Sequence, residues 1–141
     1  MGVKGPMILR KVSQYVCLYL PPPISTNALT RSVSKGRFVT SITSAEYRKW
    51  KIAASEMLEL QRPGYVPGAY GLRIAVPKKC RVDLDNTAKA LIDLLHQHKL
   101  VDGDGPKHLQ RLEIWRGEEA DTFVQIISTK CAATAASLKS F

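Results

Sequence analysis

The strongest constraint on the fold is a change of hydrophobic period in the middle of the chain. From Tyr70 to Val76 every second residue is bulky and apolar, which is the period of a strand with one buried face. From about Leu84 to Lys99 the apolar residues recur at helical spacing, which predicts an amphipathic helix. The helix positions predicted to face inward are Ala88, Leu91, Ile92 and Leu95. A strand followed by such a helix predicts a domain in which helices pack on a sheet.

Other elements on either side are predicted by the same patterns. Val12 to Leu20 alternates and is predicted to form a strand, which ends at Pro21–Pro23 because proline cannot donate to a strand ladder. A helix is predicted from the capping-box spacing at Thr43 to about Leu60. The apolar stripe of this helix consists of Tyr47, Trp50, Ala54, Met57 and Leu58. Two further strands are predicted around 112–114 and 124–126.

These elements together predict one α+β domain. A chain of 141 residues suits a single hydrophobic core. We therefore expect one domain over residues 1–141, in which a small mixed β-sheet packs against two main helices. Residues 1–11 and 130–141 are expected to be flexible tails, and the polar segment 24–40 is expected to be an exposed loop with a small hairpin around Lys35-Gly36.

The distribution of charge indicates a polyanionic partner. The formal net charge is +9, and nucleic acid is the usual polyanion for a basic protein. Residues 1–60 hold nine lysines and arginines against three acids, whereas five of the six aspartates fall between Asp83 and Asp104. Acids crowded into a basic protein oppose phosphate binding unless cations bridge the two.

The sequence indicates neither a membrane protein nor a disulfide-rich or zinc-binding protein. No apolar run approaches the roughly 18 residues that a transmembrane helix needs. The three cysteines are far apart and odd in number, which indicates neither a disulfide framework nor a zinc site. We therefore expect no membrane partner and a cytoplasmic location.

The chemistry is predicted to centre on the acidic residues. Asp83 and Asp85 are two positions apart at the predicted start of a helix, so in extended chain their side chains point the same way. Once the helix has begun, Asp85 and Lys89 are expected to share a face. Asp104 follows in a second acidic turn. Carboxylate oxygens are the ligands that Mg²⁺ or Mn²⁺ prefers.

Two other interpretations of Asp83 and Asp85 remain open. The sequence Asp83-Leu-Asp85-Asn-Thr87 has the D-x-D-x-T form of haloacid-dehalogenase-type phosphatases, although the basic residues before it differ from the apolar strand that usually precedes that motif. An aspartate at a helix start is also a common N-cap, and Asp85 and Lys89 would then be a surface ion pair. In that case the chain would be a non-catalytic, basic nucleic-acid-binding module.

The longer pattern around these residues resembles the RusA-type Holliday-junction resolvases. It reads Asp83-Leu-Asp85-Asn86-x-x-Lys89-Ala90-x-x-Asp93-x-Leu95, followed by Asp104, and a proline-rich motif precedes it at Leu20–Asn27. The resemblance implies that Asp83, Asp85 and Asp104 bind a divalent metal and that Lys89 is a catalytic lysine. It also implies a homodimer that nicks two strands of a four-way DNA junction symmetrically, in recombination and repair.

Two groups of basic and polar residues are predicted to hold the DNA backbone. Lys78, Lys79 and Arg81 lie within five residues before Asp83, where they would hold the phosphates next to the cleaved bond. A second grip is predicted on the polar loop. Its members are Asn27, Arg31, Lys35 and Arg37.

Overall fold

The structure, a computed structural model, describes residues 10–24, 30–35, 38–43 and 45–130. In chain order its elements are β1 (Tyr15–Leu20), β2 (Thr30–Lys35), β3 (Phe38–Thr43), α1 (Ala45–Leu60), β4 (Tyr70–Pro77), a 3₁₀ turn (Leu84–Asn86), α2 (Ala88–Gln97), β5 (Leu109–Gly117) and β6 (Thr122–Ser128). Four of the strands form one sheet in the order β1-β6-β4-β5. The β4–β5 pair is parallel and the other two pairs are antiparallel. The predicted α+β domain with a mixed sheet and two main helices is confirmed.

One face of the sheet packs against the two helices and forms the core. The predicted alternation is confirmed on β1, β4 and β6, since their inward side chains are buried while most intervening ones are partly exposed. The inward residues of these strands are Val16, Leu18, Leu20, Tyr70, Leu72, Ile74, Val76, Val124 and Ile126. The helices contribute Trp50, Ala54, Leu58, Leu91 and Leu95. A core contributed by both layers explains why both hydrophobic periods appear in the sequence.

The predicted hairpin in the basic segment is confirmed. Strands β2 and β3 pair antiparallel, with Lys35 opposite Phe38, and they form a sheet of their own. The turn residues Gly36 and Arg37 lie outside the described residues, as does Ser44. Thr43, the predicted helix cap, is the last residue of β3, and α1 begins two residues later at Ala45.

The prediction of one continuous helix over 84–99 is wrong at its start. A 3₁₀ turn comes first, closed by bonds from the Asn86 amide to the Asp83 carbonyl (3.0 Å) and from the Thr87 amide to the Leu84 carbonyl (3.2 Å). The Thr87 hydroxyl also donates to the Leu84 carbonyl at 2.8 Å. This side chain competes for a carbonyl that a continuing helix would use. Asp85 and Lys89 therefore lie on two successive elements instead of one helix face.

The two edges of the main sheet differ. At the β1 edge the Gln61 side chain mimics a neighbouring strand, since it accepts from the Tyr19 amide at 2.8 Å and donates to the Tyr19 carbonyl at 2.6 Å. At the other edge β5 pairs with β4 alone within the described part of the chain. β5 is nine residues long, and its Leu112 is exposed. An edge of this length that has no strand partner among the described residues is a template for pairing with another strand.

The segment before β1 is anchored at Arg10. Its guanidinium donates to the His98 carbonyl at 2.9 Å, the Pro63 carbonyl at 3.2 Å and the Glu59 carboxylate at 2.6 Å. Two further residues of the predicted tails, Lys11 and Lys130, are described, and each has a backbone hydrogen bond. Residues 1–9 and 131–141 lie outside the described residues. Among the helices that are described, none is long and apolar enough to cross a membrane.

Candidate active site

The loop that carries the first acids is fixed by an arginine from the neighbouring strand. Residues 78–83 lead from β4 into the 3₁₀ turn, and they are too irregular to satisfy all their own carbonyls. Arg116, near the end of β5, donates to the Cys80 carbonyl at 2.7 Å and to the Val82 carbonyl at 2.6 Å. The planar fork of a guanidinium suits two such acceptors at once. The position of Asp83 therefore depends on Arg116.

Asp83 and Asp85 are both exposed at this junction. Asp83 has extended backbone (φ −61°, ψ 143°), and its side chain makes no capping hydrogen bond. The interpretation of Asp83 as a helix cap is therefore not supported. Among the described residues, neither carboxylate has a side-chain hydrogen bond or an ion pair. Two carboxylates with no structural partner are available here for a cation.

Lys89 lies in the first turn of α2, directly after the acidic turn. Its ammonium is 3.6 Å from the Asp93 carboxylate, and its side chain is 66% exposed. The predicted pair with Asp85 is thus replaced by an i, i+4 pair with Asp93. An exposed pair of this kind contributes about 0–1 kcal/mol, so little would hold Lys89 back from a phosphate group.

The second acidic turn contains two aspartates with different surroundings, Asp102 and Asp104. Asp102 accepts from the Tyr65 hydroxyl and from the Gly68 amide, the latter at 2.9 Å. The Tyr65 hydrogen bond, followed by that of Gly68, holds the pKa of the Asp102 carboxyl below its usual value. Both of its oxygens are therefore engaged in fixing the turn. Asp104 is exposed and has no such bonds among the described residues.

Asp104 lies at the opposite end of the sheet from Asp83 and Asp85. The Tyr70 hydroxyl, on the first residue of β4, donates to the Gly103 carbonyl at 2.8 Å, so the next residue, Asp104, lies near the start of β4. Burial, and then the charge of Asp104, raises the pKa of Tyr70 to about 12. Asp83 and Asp85, in contrast, follow the last residue of β4, which is eight residues long, or about 25 Å of strand.

The predicted set of three metal ligands is therefore not assembled within one chain. In the part of the chain that the structure describes, no three His, Cys, Asp or Glu side chains come together as a metal-binding group. Asp83 and Asp85, two of the three predicted ligands, lie after the end of β4, and the third, Asp104, lies near its start.

The predicted DNA-binding residues fall into two groups. Lys78 and Lys79 line an open cleft of about 530 Å³ beside the acidic loop, where Lys78 also pairs with Glu118, and Arg81 is exposed nearby. The backbone of Arg31 and Lys35 lies on β2, whereas Asn27 and Arg37 lie outside the described residues. The structure thus keeps three exposed basic residues on the loop that leads to Asp83.

Sequence reasoning missed Arg116. The only local signal is its place in the alternation of β5, where it shares the face of Ile114, which packs against the core. A charged side chain at an inward position needs a polar partner, but the partners are carbonyls more than thirty residues earlier in the chain.

No protein-family model matches the chain, and no curated protein matches it.

Proposed function

We propose that the protein is a Mg²⁺-dependent endodeoxyribonuclease, with Mn²⁺ as an alternative ion, that resolves four-way DNA junctions by paired symmetric nicks. The observation that carries this proposal is the pair of carboxylates, Asp83 and Asp85, which lack structural partners within the described chain of a protein with net charge +9. Carboxylates without partners repel phosphate groups unless a cation bridges the carboxylates and the phosphate. The proposed role is in DNA recombination and repair in the cytoplasm.

The oxygen ligands fit a hard divalent cation. Asp83 and Asp85 would hold it together with Asp104, and all three carboxylates are exposed. When bound, such an ion supplies Lewis-acid stabilisation of the phosphoryl oxygens and lowers the pKa of attacking water. Lys89 would neutralise charge that develops on the phosphate. Lys78, Lys79 and Arg81 would hold the backbone on either side of that phosphate.

The separation of the acids supports a homodimer as the working unit. The residue before Asp104 is bonded at the start of β4, and Asp83 and Asp85 follow its end. The separation is about one strand length, so a metal site with all three would use two chains. A two-fold dimer has two equivalent sites, and this symmetry matches the two strands to be cut in a four-way junction.

The free edge at β5 supports a particular arrangement of that dimer. Asp104 lies just before β5, and Arg116 near the end of β5 holds the loop of Asp83. Antiparallel pairing of two β5 edges about a two-fold axis would align the start of one strand with the end of the other. Asp104 of the partner subunit would then approach Asp83 and Asp85, and the mirrored contact would complete the second site.

Two alternative functions have less support. In a haloacid-dehalogenase-type phosphatase the first aspartate would end an apolar strand, whereas Asp83 comes six residues after the end of β4. That alternative predicts turnover of small phosphomonoesters and no preference for branched DNA. In a non-catalytic binding module the aspartates would serve as helix caps, but Asp83 makes no capping hydrogen bond. Such a module would also bind DNA equally well in the presence of a chelator.

Nicking assays on a four-way junction and a matched linear duplex, with Mg²⁺ or with a chelator, test the proposal. We expect metal-dependent nicks in the junction alone. Asp83→Asn and Asp85→Asn should each abolish nicking while binding survives or tightens, because a ligand and a repulsive charge are removed together. Asp121→Asn, in the turn between β5 and β6, is the matched control and should nick normally. Nicking in chelator, or full activity of Asp83→Asn, would contradict the proposal.

A further inference from the structure

A second group of reactive side chains lies at the end of α2 that is remote from Asp83 and Asp85. His98 follows α2, and Ser55 and Glu59 are one turn apart on α1. The His98 Nε2 atom is 2.9 Å from the Ser55 hydroxyl oxygen. The His98 Nδ1 atom is 2.6 Å from the Glu59 carboxylate, which also pairs with Arg10 at 2.6 Å.

The direction of these hydrogen bonds follows from the charge of Glu59. Burial raises the pKa of the Glu59 carboxyl, but the hydrogen bonds from His98 and Arg10 outweigh it and hold the pKa below its usual value. An ionised carboxylate only accepts hydrogen bonds, so Nδ1 of His98 carries the hydrogen. When the ring is neutral, Nε2 is therefore the acceptor, and the Ser55 hydroxyl donates to it.

This is the order of groups that activates a serine nucleophile. A hydroxyl within hydrogen-bond reach of a base, with the base oriented by a carboxylate, is recognised by geometry on unrelated folds. Arg10 fixes the carboxylate, and its side chain is only 6% exposed. The His98 side chain is 19% exposed and the Glu59 side chain is 30% exposed, so the hydrogen-bonded pair is partly shielded from water.

Ser55 also borders a space that a substrate could enter. It lines an open cleft of about 460 Å³ together with Arg48, Lys51, Ile52 and Glu56. Ile52 is 63% exposed and gives the cleft an apolar wall. Lys51 precedes Ser55 by one helical turn and so shares its face. Because backbone amides within a helix are already bonded, Lys51 is the group that would face a developing oxyanion.

We propose that Ser55, His98 and Glu59 form a nucleophilic site that accepts acyl groups from small esters and is separate from the proposed nuclease site. In this step the Ser55 oxygen forms a bond to the acyl carbon as its proton passes to His98 Nε2. The bond from the acyl carbon to the alcohol oxygen then breaks, and Nε2 returns the proton to that oxygen. Water attacks by the same route and releases the carboxylic acid.

A fluorophosphonate probe tests the proposal directly in the full-length protein. The Ser55 oxygen would bond to phosphorus as fluoride leaves, and peptide mass spectrometry would locate the adduct. We expect labelling at Ser55 in the wild-type protein and none at that peptide in Ser55→Ala. His98→Gln should slow labelling by roughly 100-fold, the usual contribution of a general base. His96→Gln changes an exposed histidine in the last turn of α2, two residues before His98, and should label at the wild-type rate.

The same measurement separates a reactive serine from a structural link between the two helices. A structural link would use the same hydrogen bonds but leave Ser55 no more reactive than other serines. Absence of an adduct at Ser55 in the folded wild-type protein would overturn the proposal, whatever the stability of the variants. Labelling of Ser55 that is equally fast in a folded His98→Gln variant would overturn it as well.

Discussion

Replacement of Arg116 tests how the acidic loop is held in place. Arg116→Met keeps most of the apolar stem but removes both hydrogen bonds to the Cys80 and Val82 carbonyls, which are 2.7 and 2.6 Å long. Hydrogen bonds to a charged group contribute about 1.5–3 kcal/mol each. Since these lie in a half-buried setting, we take the lower value for each, which gives a loss of about 3 kcal/mol in the free energy of unfolding. In a domain of this size that lowers Tm by roughly 10 °C.

Thermal unfolding and limited trypsin digestion measure the two consequences of this change. Arg116→Met should unfold about 10 °C lower than wild type, and cleavage after Lys78, Lys79 and Arg81 should become faster because the loop opens locally. Arg111→Met on the same strand is the control, since Arg111 is 42% exposed and lies 3.4 Å from Glu113; a surface pair contributes at most about 1 kcal/mol. Equal Tm and equal cleavage rates in Arg116→Met and wild type would refute the role of Arg116.

Two other predictions concern Lys89 and Tyr70. Lys89→Ala should lose nicking with little change in the salt dependence of junction binding, whereas Lys79→Ala should keep nicking and reduce the salt slope by about one; identical effects would make Lys89 an ordinary backbone contact. Tyr70→Phe should lower the free energy of unfolding by about 1–2 kcal/mol in urea titrations, because the buried Gly103 carbonyl loses its donor. The pKa of Tyr70 rises from 10.0 to about 12 on folding, so its contribution to stability is complete below pH 10 and is lost as the pH rises toward 12; an alkaline stability loss in Tyr70→Phe as large as that of wild type would contradict this assignment.

The elements that could be predicted from sequence are those whose burial follows a local period. The faces of β1, β4 and β6 follow from alternation, because a side chain on a strand is buried or exposed according to its parity. Strand order and the parallel β4–β5 pairing depend on contacts between distant segments, and no local pattern records them. The 3₁₀ turn was missed because the Thr87 hydroxyl, at 2.8 Å from the Leu84 carbonyl, outweighs the helical period that begins there.

The candidate site was predicted in part for a related reason. The spacing of Asp83 and Asp85 identifies two neighbouring carboxylates, because residues only two positions apart in the chain must also be close in space. The interval from Asp85 to Asp104 contains the whole of α2, and a helix that runs along the sheet carries its ends apart. Motif spacing could therefore indicate which acids belong to the predicted set, but not that one chain holds them at opposite ends of the sheet.

Subunit complementation tests the central claim, that Asp104 of one subunit completes the site of the other, most directly. Asp85→Asn and Asp104→Asn are coexpressed with different tags, and the mixed dimer is isolated through both tags. One of its two sites would then contain no substitution, so we predict single-strand nicking at about half the wild-type number of sites. The matched control is a mixed dimer of Asp83→Asn and Asp85→Asn, which has no intact site and should be inactive. If no mixed dimer forms, or if the first mixed dimer is as inactive as its parents, the account is contradicted.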